Sequence, residues 1–247
     1  MNTNEIFGAL DGAVYEIRIS RADKMNALTD KMYASLVEQL KFAQENQQVK
    51  VIFLRSDNKH FSAGNDLADF LETKFDEQSN VVQFLLTLLH LRKPIICAVN
   101  GAAVGIGTTM LLHCDLVYAS TDTKFSVPFI KLNLTPEGGS TKLLARRCGT
   151  AKANDWLMTG RTFLAEEALN SGLVNNVFQD SEATWSEARK VAHSLAKSPL
   201  SVLTKTKELL NSDRQEVENT ILKEAKVFAA CLESSEAKAA FKAFLKG

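Results

Sequence analysis

Over the first half of the chain, short runs of consecutive apolar and β-branched residues alternate with segments whose apolar positions recur every three or four residues. The last third keeps only the second pattern. Residues 13–20 alternate in side-chain character and predict a strand. Thr29 and Asp30 open a helix to about Asn46, with Met32, Leu36, Val37 and Leu40 at helical spacing. Residues 49–55 read as a buried strand and 81–91 as a strongly apolar helix. Pro94 blocks continuation of that helix because it lacks an N–H and its ring clashes with the preceding turn. Residues 95–99 form a second buried strand ending in the turn signal Asn100-Gly101. The pattern then predicts a helix from about Gly105, a strand over 115–119, helices over 136–147 and 151–159, and a late strand over 173–178 behind Gly172. Helices follow over 183–197, 201–211, 216–232 and 235–245, the first pair separated by Ser198-Pro199.

The class is therefore α/β with a helical end. No repeat, low-complexity tract or flexible linker separates the parts, so the expected division is a core over 1–181 and a helical region over 182–247 that packs on it. Apolar helices at a chain end commonly bury a second face against another subunit, which predicts an oligomer. The 247 residues suffice for a real core, and 45% hydrophobic against 23% charged residues exclude disordered and collagen-like chains. Lys plus Arg equals Asp plus Glu at 29 each, and no basic run supplies a field for nucleic acid or an anionic membrane. Cys97, Cys114, Cys148 and Cys231 lack metal-site spacing and read as free thiols of a reducing compartment. With no leader-like start and no run long enough to span a bilayer, a cytoplasmic location is expected.

The usual nucleophile motifs are missing: there is no GxSxG elbow, HExxH or GxxxxGK(S/T) loop. Gly105-Ile106-Gly107 is followed by Met110, so the dinucleotide fingerprint fails. His60, His90, His113 and His193 are far apart in sequence and read as surface or core residues. Two segments stand out, His60-Phe61-Ser62-Ala63-Gly64-Asn65-Asp66-Leu67 and Asn100-Gly101-Ala102-Ala103-Val104-Gly105-Ile106-Gly107. Both are small-residue turns between a buried strand and a helix, where orphan N–H groups favour negative charge. Either alone is an ordinary connection; if the N–H groups of Asn65 and Ile106 converge, they form an oxyanion hole.

These two turns, in this order, behind Arg21-Ala22-Asp23-Lys24-Met25-Asn26-Ala27-Leu28 and ahead of Cys114-Asp115-Leu116-Val117-Tyr118-Ala119, resemble the enoyl-CoA hydratase/isomerase, or crotonase, superfamily over nearly the whole chain. Ala22 stands where the family's upstream element usually has proline. The resemblance implies a spiral of ββα units, a trailing helical region that builds trimers or paired trimers, and acyl-CoA thioester substrates, with coenzyme A carried by the substrate and no separate cofactor. It implies that the enolate oxygen is held by the backbone N–H groups of Asn65 and Ile106. It places Lys24, Asn26, Ala27 and Leu28 near the pantetheine and nucleotide of the thioester, with Ala63, Asp66 and Leu67 along the same groove. The apolar tail is expected against Phe70 and the 81–91 helix, because a chain pocket needs walls without unmet hydrogen bonds. Lys238, Lys242 and Lys246 recur every four residues and read as a solvent face, or as contacts to a neighbouring subunit's phosphates.

Hydratases of this superfamily resemble one another in two glutamates that activate water. Those places hold Thr109 and Phe129 here, so two-carboxylate water addition is unsupported. One acid stands at a suitable place, Glu137 in Leu134-Thr135-Pro136-Glu137-Gly138-Gly139-Ser140, a segment similar to the Pro-Glu-Gly of peroxisomal-type Δ3,Δ2-enoyl-CoA isomerases. Pro136 suits a first helical turn, where Glu137 would merely complement the dipole. A carboxylate facing an apolar cavity beside Phe129 would instead carry a raised pKa suited to moving protons. The preferred reading is an isomerase. The others are another crotonase-type enzyme (hydratase, thioester hydrolase or decarboxylase) and a non-catalytic acyl-CoA-binding protein.

Overall fold

The computed structural model describes the backbone of residues 5–72 and 75–246, and the side chains of 5–72 and 75–243. β1 (Ile6–Asp11) and β2 (Val14–Ile19) form an antiparallel hairpin, and α1 (Asp30–Glu45) returns the chain to β3 (Val51–Ser56). Thr29 caps α1, its hydroxyl accepting from the N–H of Met32. After α2 (Leu67–Glu72) and α3 (Asn80–His90) come β4 (Ile95–Val99), β5 (Ala102–Val104) and the single-turn α4 (Ile106–Thr109). β6 (Leu116–Ser120), β7 (Lys124–Ser126), α5 (Ser140–Cys148), α6 (Thr150–Thr159), β8 (Thr162–Leu164), α7 (Ala165–Asn170) and β9 (Asn176–Phe178) complete the α/β part. α8 (Ser181–Ala196), α9 (Leu200–Leu210), α10 (Arg214–Glu233) and α11 (Ser235–Lys246) follow.

The main sheet has the order β1-β2-β3-β4-β6-β9 and is parallel from β2 onward; β5, β7 and β8 form a smaller sheet. Every residue of β3 and β4 is buried, as a parallel sheet covered on both faces requires. Ile17, Ile52, Leu54, Cys97 and Val117 pack on one face into the large core that includes α1 and α3. Val14, Val51, Phe53, Ile96 and Ala98 face the other way, against Ala188, Ala192 and Ala196 of α8. Three alanines at helical spacing let that helix lie close on the strands. The helical region thus begins as one layer of the core. No helix among the described residues is long and apolar enough to cross a membrane.

Several expectations change. β1 adds a strand that the sequence pattern does not announce, because Phe7 to Asp11 carry no buried periodicity. The strands of the smaller sheet are three residues each, too short for a period to show. The helix expected from Gly105 is one α-turn followed by a 3-10 turn over Met110–His113. The late strand shortens to Asn176–Phe178. The helix expected over 136–147 begins only at Ser140, because Gly138 and Gly139 both adopt left-handed backbone, at φ 74° and 73°. Glu137 therefore stands in a turn before the helix.

Candidate active site

The two small-residue turns are zipped together. Phe61 N–H donates to Asn100 O (2.8 Å), Ser62 N–H to Ala102 O (3.0 Å) and Val104 N–H back to Ser62 O (2.9 Å). Such an approach leaves no room for a Cβ. One placed on Gly64, whose φ is 94°, would sit 2.9 Å from Val104 O, and one on Gly107 would sit 2.9 Å from Ser62 O. The upstream segment braces the first turn. Asn26, fully buried, donates from its carboxamide to His60 O (2.7 Å) and accepts from Arg21 N–H (2.6 Å). The Arg21 guanidinium donates to Ala27 O (2.9 Å) and to Asp66 (2.7 Å). Burial tends to raise the Asp66 carboxyl, but Arg21 and the N–H groups of Asp69 and Ala68 outweigh it and hold its pKa below the usual value.

Between these turns and the C-terminal helices lies a largely apolar groove of about 720 Å³. Of the residues singled out in the sequence, Lys24, Ala27, Ala63, Asn65, Asp66, Leu67, Phe70, Ile106 and Phe129 line it. Asn26, Leu28 and Glu137 do not; all three are buried, Asn26 spending its side chain on the loops. The 81–91 helix does not line it either. α3 is held between α1 and α10, so an apolar stretch that suggested a chain pocket is core packing. No local pattern announces that the far end of the chain contributes: Phe228 of α10 and Ala240, Phe241 and Ala243 of α11 close the groove, and Phe228 meets the rings of Phe70 and Phe129 at 6.0 and 6.3 Å. Lys238 and Lys242 are exposed and stand apart from it, while the side chain of Lys246 lies outside the described residues.

Asn65 and Ile106 both line the groove, and among the described residues neither backbone N–H has a hydrogen-bond partner. One turn along α4 from Ile106, Thr109 donates its hydroxyl to Oε1 of Glu137 at 2.5 Å. Glu137 is 4% exposed, so its carboxyl is turned into the protein and does not cap α5. Burial lifts its pKa to about 8, against the lowering effect of the Thr109 bond and with the help of the Glu224 charge. The phenol of Tyr33, on α1, donates to Oδ1 of Asn65. Burial and then the charge of Glu137 push the Tyr33 pKa well up, so it remains a donor. Tyr33 thus meets the first turn and feels the acid, a link that the helical pattern of α1 shows only as a core position.

His60 and His113 serve the backbone. His60 Nδ1 accepts from Ala102 N–H (3.1 Å). His113, its pKa lowered to about 4 by burial, is neutral, and its Nε2 lies 2.8 Å from Gly138 O. A carbonyl only accepts, so the proton is on Nε2.

The sequence profile described as Enoyl-CoA hydratase/isomerase matches residues 10–246. Among solved structures, Pseudomonas aeruginosa OdaA superposes with a TM-score of 0.97 at 38% identity, covering 99% of this chain and 100% of that one. Enoyl-CoA delta isomerase 2 of Rattus norvegicus is 32% identical over 216 residues, 83% of this chain and 54% of that protein. Short-chain-enoyl-CoA hydratase of Clostridium acetobutylicum is 29% identical over 254 residues, 100% of this chain and 96% of that protein. The names of these relatives divide between isomerase and hydratase, but the profile, the superposition and the paired turns agree: the chain belongs to the enoyl-CoA hydratase/isomerase family and has the crotonase fold.

Proposed function

We propose that the protein is a Δ3,Δ2-enoyl-CoA isomerase in which Glu137 is the one proton carrier. The observation that carries this reading is the buried, Thr109-bonded carboxyl of Glu137, together with Thr109 and Phe129 at the places where a hydratase would hold its two acids. In the proposed reaction the Glu137 carboxylate removes a proton from C2 of a 3-enoyl-CoA. The electron pair moves into the thioester carbonyl, giving a dienolate whose oxygen is held by the N–H groups of Asn65 and Ile106. The neutral Glu137 then returns the proton to C4 as the carbonyl reforms, leaving the double bond between C2 and C3. One acid suffices because the proton is given back, and no cofactor is needed beyond the coenzyme A of the substrate. Donors fixed before charge develops are worth about 2.7–4 kcal/mol each in such holes.

In this reading Lys24, Ala27, Ala63, Asp66 and Leu67 receive the coenzyme A arm of the substrate, and Phe70 and Phe129 form apolar wall. The assembly in this reading is a homotrimer or a dimer of trimers, supported by the exposed Val202, Leu209 and Leu210 of α9. Incubation with a 3-enoyl-CoA, followed by absorbance of the conjugated 2-enoyl product, tests the activity. Turnover by wild type and none by Glu137→Gln is expected. Hydration of 2-enoyl-CoA, or release of free thiol, would instead assign another reaction of the family, and thioester binding without α-proton exchange would assign a binding protein.

A further inference from the structure

The turn that carries Glu137 is poorly able to hold itself. Gly138 and Gly139 are consecutive left-handed residues, and glycine is the residue with the most backbone freedom to lose. The helix that follows, α5, has Gly139 at its N-cap and so no side-chain cap of its own, and the N–H groups of its first turn need partners from elsewhere. They find one in Glu224, 7% exposed on α10. Its Oε2 accepts from Gly139 N–H at 2.6 Å, and its Oε1 accepts from Thr141 N–H at 3.0 Å and from the Thr141 hydroxyl at 2.5 Å. α10 also presses on the same place with apolar atoms, since a Cβ on Gly139 would meet Ile221 at 3.2 Å and Val217 at 3.4 Å. On the other side of the turn, the neutral His113 donates to Gly138 O at 2.8 Å.

We propose that Glu224 is a positioning residue for Glu137: from the C-terminal helical region it holds turn 137–141 so that the acid stays beside Thr109 and the oxyanion turn. The proposal rests on the isomerase reading for its kinetic consequence only. A second consequence follows from charge. The titratable groups that face Glu137 are Tyr33 from α1, which stays protonated, and Glu224 from α10. His113 stands behind Gly138 and is neutral above about pH 4, and α3 contributes the apolar Leu85. The negative charge of Glu224 favours the neutral form of Glu137, so removing it eases ionisation.

The test pairs Glu224→Gln, which keeps shape and acceptor oxygen, with Glu224→Ala, which removes the clamp. Each is compared with wild type in 3-enoyl-CoA turnover across pH and in carboxyl ¹³C NMR titration of Glu137 in the free protein. Glu224→Gln is expected to move the acid limb of kcat/KM, and the NMR midpoint, to lower pH by about half a unit or more. Glu224→Ala is expected to lower kcat by about tenfold or more, since small misplacements of a reacting group are costly, while KM changes by less than about threefold. Should Glu224→Ala not fold, the Glu224→Gln titration carries the test. A kcat unchanged in a folded Glu224→Ala, or a profile and midpoint unchanged in Glu224→Gln, would overturn the proposal. A wild type inert toward 3-enoyl-CoA whose NMR midpoint still moves in Glu224→Gln would overturn the isomerase reading and support the link between the two glutamates.

Discussion

Thr109 holds Glu137: its hydroxyl reaches Oε1 across 28 residues of chain at 2.5 Å, and it does so from the end of the helical turn that Ile106 begins. A position read in the sequence as a missing carboxylate is thus the tether between the turn that begins at Ile106 and Glu137. The bond lowers the pKa that burial raises. Thr109→Val removes it at nearly constant volume. The acid limb of kcat/KM is expected to move to higher pH, and turnover at pH 7 to fall by about tenfold, the equivalent of one hydrogen bond to a charged group. A pH-rate profile identical to wild type would sink this role.

With Glu137 titrating at about 8, the carboxylate is the minor form at neutral pH. In the proposed reaction Glu137 must be ionised to act as the base, so kcat/KM of wild type is expected to rise about tenfold per pH unit below 7 and to level off above about 8. Steady-state kinetics between pH 5.5 and 9 would reveal a flat profile if another group supplied the base.

The same shift bears on stability. The folded pKa of Glu137 lies above the ordinary value near 4.5, so folding holds a proton that the unfolded chain releases. That favours the fold fully below about pH 4.5, and the benefit is lost as pH rises towards 8. Glu137→Gln keeps an acceptor for Thr109 without the ionisable group. It should match wild type in stability at pH 4 and exceed it by about 4 kcal/mol at pH 8. Urea unfolding at the two pH values measures the difference, and a wild type more stable than the variant at pH 8 would contradict it.

Tyr33→Phe removes one oxygen from the core and leaves Oδ1 of Asn65 without its donor. Because the Asn65 N–H is one of the two donors in the proposed reaction, kcat is expected to fall by roughly five- to tenfold, about 1 kcal/mol, with little change in KM. A rise in KM with kcat intact would place Tyr33 in binding alone.

Gly64→Ala tests the close approach of the two turns. A methyl group at φ 94° meets Val104 O at 2.9 Å, so the Asn65 N–H must move away from Ile106. A loss of about 10²–10³ in kcat is expected, comparable to deleting one donor. Retained turnover would show that the N–H of Asn65 holds no charge.

Much of this protein was legible in its residues. The continuous apolar runs of β3 and β4 mark strands buried on both faces, Thr29 marks the start of α1, and the glycines of the two turns mark backbone that must come close to other backbone. These are local matters of period, capping and φ, and the sequence determines them by itself. It also singles out Glu137, through the company it keeps with Pro136 and the glycines.

What only the tertiary structure decided are the contacts between segments far apart in the chain. That Glu137 turns inward to Thr109, that Tyr33 bonds Asn65, that Phe228 and Phe241 close the groove and that Glu224 caps α5 all join partners at least 28 residues apart. None has a period or a local motif to announce it. The 81–91 helix forms, but its expected place in the groove wall does not, since hydrophobicity reports that a face is buried without saying against what; the helix start expected at Pro136 moves to Ser140 because Gly138 and Gly139 take left-handed backbone. Packing supplies the missing partner, and with it the desolvation that raises the pKa of Glu137.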